Sequence, residues 1–168
     1  MSTSLYDLTV PTLSRALRNL SAILAKGEAH ARDNGIDPAE YLEARLAPDM
    51  GALVSQIQRA SDSAKGAVAR VAGLEAPAMP DTEASFDDLQ ARVAATLAFL
   101  ESVPREAIDG REEAEVVLKT PSGEFTFKGR DHVLGFALPN VFFHVTTAYA
   151  ILRHKGAPLG KFDYLGRL

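Results

Sequence analysis

The fold of this chain is decided by its most apolar stretch, residues 132–156, which reads HVLGFALPNVFFHVTTAYAILRHKG. Its apolar side chains recur every three or four residues and therefore lie on one side of an α-helix: Val141, Val145, Ala148 and Leu152. Pro139 interrupts the run and predicts a separate helical piece or a kink before it, and Gly156 predicts the end of the helix. A helix of this kind needs apolar partners elsewhere in the chain.

Three further stretches show the same helical spacing. The first helix carries Leu13, Leu17, Leu20 and Leu24. The second is predicted to open at Pro48, to end at Gly73, and to carry Met50, Leu53, Val54, Ile57, Ala60, Ala64, Val68 and Val71. The third carries Phe86, Leu89, Val93, Leu97 and Leu100 and is predicted to end before Pro104. Four amphipathic helices indicate a four-helix bundle.

A short β-hairpin is predicted between the third and fourth helices, from Val116 to Lys128. The apolar residues alternate with polar ones on both sides of the turn sequence Pro121-Ser122-Gly123. Two isolated strands are only marginally stable in water, so the hairpin is expected to pack its apolar face on a helix. The predicted fold class is therefore all-α, one bundle domain over residues 1–168 with a small hairpin inserted.

Composition narrows the classes of function. The chain has 168 residues, 46% of them apolar and 24% charged, which is typical of one soluble globular domain. Its formal net charge of -4 argues against nucleic acid as a partner. Zero cysteines exclude disulfides and thiolate metal sites, no apolar run is judged long enough to span a membrane, and the first residues lack a secretion signal. We therefore expect a cytoplasmic protein without a membrane partner.

His144 is the best candidate for a functional side chain. It lies inside the apolar fourth helix, four residues after Asn140 and on the same face, so both side chains can point into the bundle centre. One interpretation is that His144 is a structural histidine with a buried hydrogen-bond partner. The other interpretation is that it ligates a metal.

Asp49 is the third candidate, and three interpretations remain open for it, one of which is that Arg45, four residues earlier, holds its carboxylate on the surface. A carboxylate after Pro48 can cap the second helix by accepting backbone N–H bonds. Because its neighbours Leu46, Met50 and Leu53 are apolar, Asp49 could instead lie near the core and compensate His144 or Asn140.

Three segments resemble a bacterial family of unknown function related to the DinB/YfiT-like bundles. They are YDLTVPTLSRAL near the N-terminus, LAPDM before the second helix, and PNVFFHVTTAYAILRHKGAPLGKFDYLG at the end. In the metal-binding relatives the second helix supplies one His and the fourth supplies two, spaced by four residues. The resemblance places His144 and Asn140 on the fourth-helix ligand positions and Asp49 on the second-helix position. It also implies a homodimer.

Two functions from different classes follow. An Asp/Asn/His set lacks the nitrogen ligands that suit zinc or nickel, although it could hold a harder divalent ion together with waters. No phosphate-binding loop, nucleophile elbow or His-Glu-x-x-His motif is present. The first hypothesis is a bundle without enzymatic activity or cofactor that binds a small molecule or a partner. The alternative is a metal-dependent transferase or hydrolase that uses Asp49, Asn140 and His144 as ligands.

Overall fold

The computed structural model describes residues 3–166, which form four long helices, three short ones and one hairpin. The predicted domain also includes residues 1, 2, 167 and 168, which lie outside the described residues. In chain order the elements are α1 (Leu5–Asp33), α2 (Pro38–Leu42), α3 (Leu53–Ala72), α4 (Phe86–Ser102), β1 (Glu115–Thr120), β2 (Gly123–Lys128), α5 (Gly129–His132), α6 (Leu138–His154) and α7 (Lys161–Leu165).

The four long helices form a closed bundle. Helix α1 packs against α4 and α6, and α3 packs against the same two helices, so the order around the bundle is α1, α4, α3, α6. The stripes that the sequence analysis identified meet in one connected apolar core. The predicted all-α bundle with an inserted hairpin is confirmed.

Helix α1 begins earlier than its apolar stripe suggested and passes through Pro11. Ser4 caps it, and the Ser4 backbone N–H in turn donates to the Asp7 carboxylate. Because Pro11 has no N–H, it cannot donate to the Asp7 carbonyl one turn earlier. The Thr12 hydroxyl donates to that carbonyl instead, over 2.9 Å. This side-chain bond allows the helix to continue from Leu5 to Asp33.

Helix α3 begins at Leu53, so the prediction that it opens at Pro48 was wrong. Residues 47–50 form a turn that the backbone N–H of Met50 closes on the Ala47 carbonyl at 3.0 Å. The Arg45 guanidinium also donates to the Met50 carbonyl, at 2.7 Å. These local bonds satisfy backbone groups that an earlier helix start would have used. The predicted end is confirmed, because Gly73 has a φ of 70°, in the left-handed region.

The hairpin lies where it was predicted and packs on the bundle only in part. Val116 lies opposite Phe127 and Leu118 lies opposite Phe125 on one face. Val116 and Leu118 are buried, whereas Phe125 at the turn end is 46% exposed. The base of the hairpin therefore carries most of its packing.

The fourth bundle helix is continuous with α5 and runs from Gly129 to His154. Residues 133–137 are wound as a π-helix, in which the Leu138 N–H donates to the Val133 carbonyl five residues earlier. A local π-turn of this kind accommodates a proline such as Pro139 without ending the helix.

By length and composition this helix could cross a membrane, with a mean hydropathy of 1.3 over its most apolar window. The expectation that no run approaches that length was therefore wrong, and the same composition suits a core helix.

Candidate functional site

The candidates His144 and Asn140 both lie where α6 contacts α3. The Nδ1 atom of His144 is 2.8 Å from the Oε1 atom of Gln56, and both side chains are buried. One turn earlier on α6, the Asn140 amide donates to the Ser63 hydroxyl over 2.7 Å. Asn140 and His144 therefore both face α3.

Asp49 does not join this cluster. It is exposed in the turn before α3, and within residues 3–166 it makes no hydrogen bond with Asn140 or His144. It does not cap α3 either, since the cap residue is Ala52 and no side chain bonds there. The capping interpretation of Asp49 depended on a helix starting at Pro48. The turn over residues 47–50 removes that start.

Gln56 is the partner that sequence reasoning missed. It lies three residues after Leu53 and four before Ala60, so it occupies a position on the apolar stripe of α3. A polar residue on such a stripe needs a hydrogen-bond partner when the helix packs. The position of Gln56 on the stripe was the available signal of a buried polar pair. Its partner, His144, is 88 positions away, so local spacing did not reveal the pair.

The hydrogen bonds of Gln56 determine the tautomer of His144, and its surroundings favour the neutral form. The Gln56 Nε2 atom donates to the Gly51 carbonyl over 2.9 Å, which leaves Oε1 facing the imidazole as an acceptor. The His144 Nδ1 atom therefore carries the proton and donates. Burial lowers the pKa of His144, and the nearby positive charge of Arg59 lowers it further. His144 is a neutral imidazole at neutral pH.

This donor set does not fit the metal site of the metal-binding relatives. The Nδ1 atom of His144 donates to Gln56 and leaves Nε2 as the only ring nitrogen that could ligate, while the other members of the cluster are amides and a hydroxyl, which are poor ligands for zinc or nickel. Across residues 3–166, no group of three or more His, Asp or Glu side chains is placed to hold a metal ion.

A second feature that the sequence analysis passed over is His132. It is fully buried at the end of α5, stacked on Phe136 with ring centroids 5.7 Å apart and tilted against Phe127 at 5.6 Å. Neither ring nitrogen has a hydrogen-bond partner among the described residues. Burial, with a smaller contribution from the charge of Arg70, lowers the pKa of His132 to about 4.

A pocket of about 240 Å³ lies between α1, α6 and α7. Both ends of the chain contribute to it, since it is lined by Thr12, Arg15, Ala16, Asn19, Phe142, Val145, Tyr164 and Leu165. It does not include the His144 cluster. Sequence reasoning missed this pocket because its walls are up to 153 positions apart in the chain.

The order of the four helices and the inserted hairpin define a protein of the DinB-like class. A solved structure supports this, the crystal structure of a DinB family member protein from Shewanella denitrificans. The two chains are 40% identical with a TM-score of 0.90, and the match covers 98% of this chain and 93% of that one. Residues 5–165 match the domain of unknown function DUF1993, and the chain belongs to that family. No functionally curated protein matches it.

Proposed function

We propose that this protein is a DinB-like bundle without enzymatic activity that binds a small molecule or a partner. The observation that carries the proposal is the chemistry of the side chains beside His144 at the α3–α6 contact, which are the amides of Gln56 and Asn140 and the hydroxyl of Ser63. A ligating imidazole needs a free nitrogen lone pair aimed at the metal and other strong donors around it. Here the neighbouring groups are amides that already bond to protein atoms.

The alternative, a metal-dependent transferase or hydrolase, requires a cation that acidifies a water or a thiol. An arrangement of one imidazole and two amides supplies no negative charge to hold such a cation. Asp49, the carboxylate assigned to that role, lies on the surface. These placements favour the binding function over the metal-dependent one.

Metal analysis of protein purified without an affinity tag tests this proposal. We expect well under one equivalent of any transition metal per chain, with no change in the variant His144→Ala. The control variant is His154→Ala, which removes an exposed histidine at the end of the same helix. About one equivalent of metal that is lost in His144→Ala and retained in His154→Ala would overturn the proposal.

Three further properties belong to the same proposal. The protein acts as a single domain over residues 1–168 in the cytoplasm, in keeping with its lack of cysteine. Its net charge of -4 disfavours nucleic acid as the partner. It forms a homodimer, for which the exposed Phe143 on the core helix α6 provides an apolar contact.

A further inference from the structure

We propose that the pocket between α1, α6 and α7 binds a small carboxylate that carries an apolar or aromatic body. The inference rests on the proposed binding function and names its site and ligand class. It uses no residue of the His144 cluster. Three observations support it: an apolar interior, a cation at the edge that has no partner within residues 3–166, and a wall joined to α1 by a hydrogen bond.

The interior of the pocket is apolar and partly aromatic. Ala16 and Val145 are buried and come from facing helices, while Phe142 and Tyr164 are half-buried aromatic walls. At about 240 Å³ the pocket is smaller than the roughly 300–1,000 Å³ that drug-sized ligands occupy. It therefore suits a ligand with one ring or a short chain.

One edge of the pocket is polar and positively charged. Thr12, Arg15 and Asn19 recur at helical spacing along α1 and all line the pocket. Within residues 3–166, Arg15 is exposed and has neither an ion pair nor a hydrogen bond. Its guanidinium offers a planar set of donors that matches a carboxylate.

Two other cations of α1 already have carboxylate partners. Arg18, one turn further along α1, pairs with Glu101, and Lys26 pairs with Asp163 at 2.6 Å. No acidic residue lies three or four positions from Arg15 on α1, where Thr12, Pro11, Arg18 and Asn19 stand. The charge at this pocket is therefore complementary to an anion that arrives with the ligand.

Helix α7 forms a fixed wall of the pocket. The Asn19 amide donates to the Tyr164 carbonyl over 2.9 Å, which joins α7 to α1. Gly166 has a φ of 77°, and a Cβ atom there would lie 2.8 Å from the Oδ1 atom of Asn19. Only glycine allows the chain to pass this close, so the wall is formed before a ligand binds.

A titration of the intact protein with phenylacetate and with phenylacetamide tests the inference, since the two probes share a shape and differ in charge. Binding is followed by backbone and side-chain amide shifts in an NMR spectrum. We expect shifts at Asn19 and Val145, and about tenfold or more tighter binding of the acid than of the amide. Arg15→Gln should abolish that difference, whereas Arg18→Gln should retain it.

Three outcomes would overturn the inference: no shifts at millimolar acid, equal affinity for the two probes, or the same preference in Arg15→Gln as in the wild-type protein. These outcomes are separable from a failure of the proposed function. Stoichiometric metal lost with His144 would overturn the non-enzymatic function whatever the probes do. If neither metal nor probe binds, the pocket is rejected as a carboxylate site, and binding of a protein partner is the remaining form of the proposed function.

Discussion

The imidazole of His144 and the carboxamide of Gln56 face each other across the contact of α6 with α3, with Nδ1 and Oε1 2.8 Å apart. Gln56 is in turn fixed by its bond to the Gly51 carbonyl, so a backbone group, an amide and an imidazole form a chain. Each member compensates the burial of the next. Removal of one therefore leaves another without a partner.

This chain predicts coupled effects on stability. Gln56→Ala and His144→Ala should each lower the free energy of unfolding by about 1–3 kcal/mol, because each leaves a buried polar group unsatisfied. The double variant should lose less than the sum. Urea unfolding measures all three values. Asp49→Ala is the control, with an expected change within about 0.5 kcal/mol. Additive losses for Gln56 and His144 would contradict the coupling.

His132 predicts a loss of stability in mild acid. Its pKa is about 4 in the folded protein, below the ordinary value of 6.5, so between these two pH values the unfolded chain binds a proton that the folded chain does not. The free energy of unfolding is therefore highest above about pH 6.5. As the pH falls towards 4, protonation of His132 in the unfolded chain lowers it by an amount on the order of 3 kcal/mol. Urea unfolding across this pH range measures the loss.

The variant His132→Phe isolates this contribution, because it keeps an aromatic ring between Phe127 and Phe136 and removes the titrating group. Its free energy of unfolding should depend less on pH between 6.5 and 4 than that of the wild-type protein. The slope is the readout, and a change in stability that is equal at every pH does not affect it. An unchanged slope would show that His132 is not the titrating group.

Thr12 should stabilise α1 only because Pro11 precedes it. Its hydroxyl donates a hydrogen bond to the Asp7 carbonyl, which has no helical N–H donor while proline occupies position 11. Thr12→Val should therefore cost about 1 kcal/mol in the wild-type protein and close to nothing in a Pro11→Ala background, where an N–H returns. Thermal or urea unfolding of the four proteins in this cycle provides the test. Equal costs in the two backgrounds would contradict it.

Phe143 predicts the contact of the proposed homodimer. It is 56% exposed on α6, and covering a phenyl ring stabilises an interface by about 1.5–3 kcal/mol. Phe143→Ser should shift the mass measured by light scattering at tens of micromolar from dimer towards monomer. Phe162→Ser is the matched control, since it removes an even more exposed phenyl ring, on α7. A monomeric wild-type protein, or a dimer that only Phe162→Ser dissociates, would reject the contact.

The parts of the fold that were predictable from the sequence have local causes. The apolar spacing around Leu17 and Val145 requires helices, and the alternation that places Val116 opposite Phe127 requires a hairpin. Gly73 ends α3 because it adopts a positive φ at little cost. Asn140 and His144 share a face for the same local reason, since residues four apart on a helix are neighbours.

Only the tertiary structure decided which groups meet these faces. Met50 has the spacing of a helical residue, but the bond from Arg45 to its carbonyl belongs to a turn and moves the start of α3 to Leu53. His144 required a buried partner, and the sequence did not identify Gln56 as that partner because the pairing depends on how α3 packs against α6. Asn19 and Tyr164 are 145 positions apart, and only the closed bundle places them side by side. Helical periodicity acts over one turn, whereas these contacts arise when separate helices exclude water together.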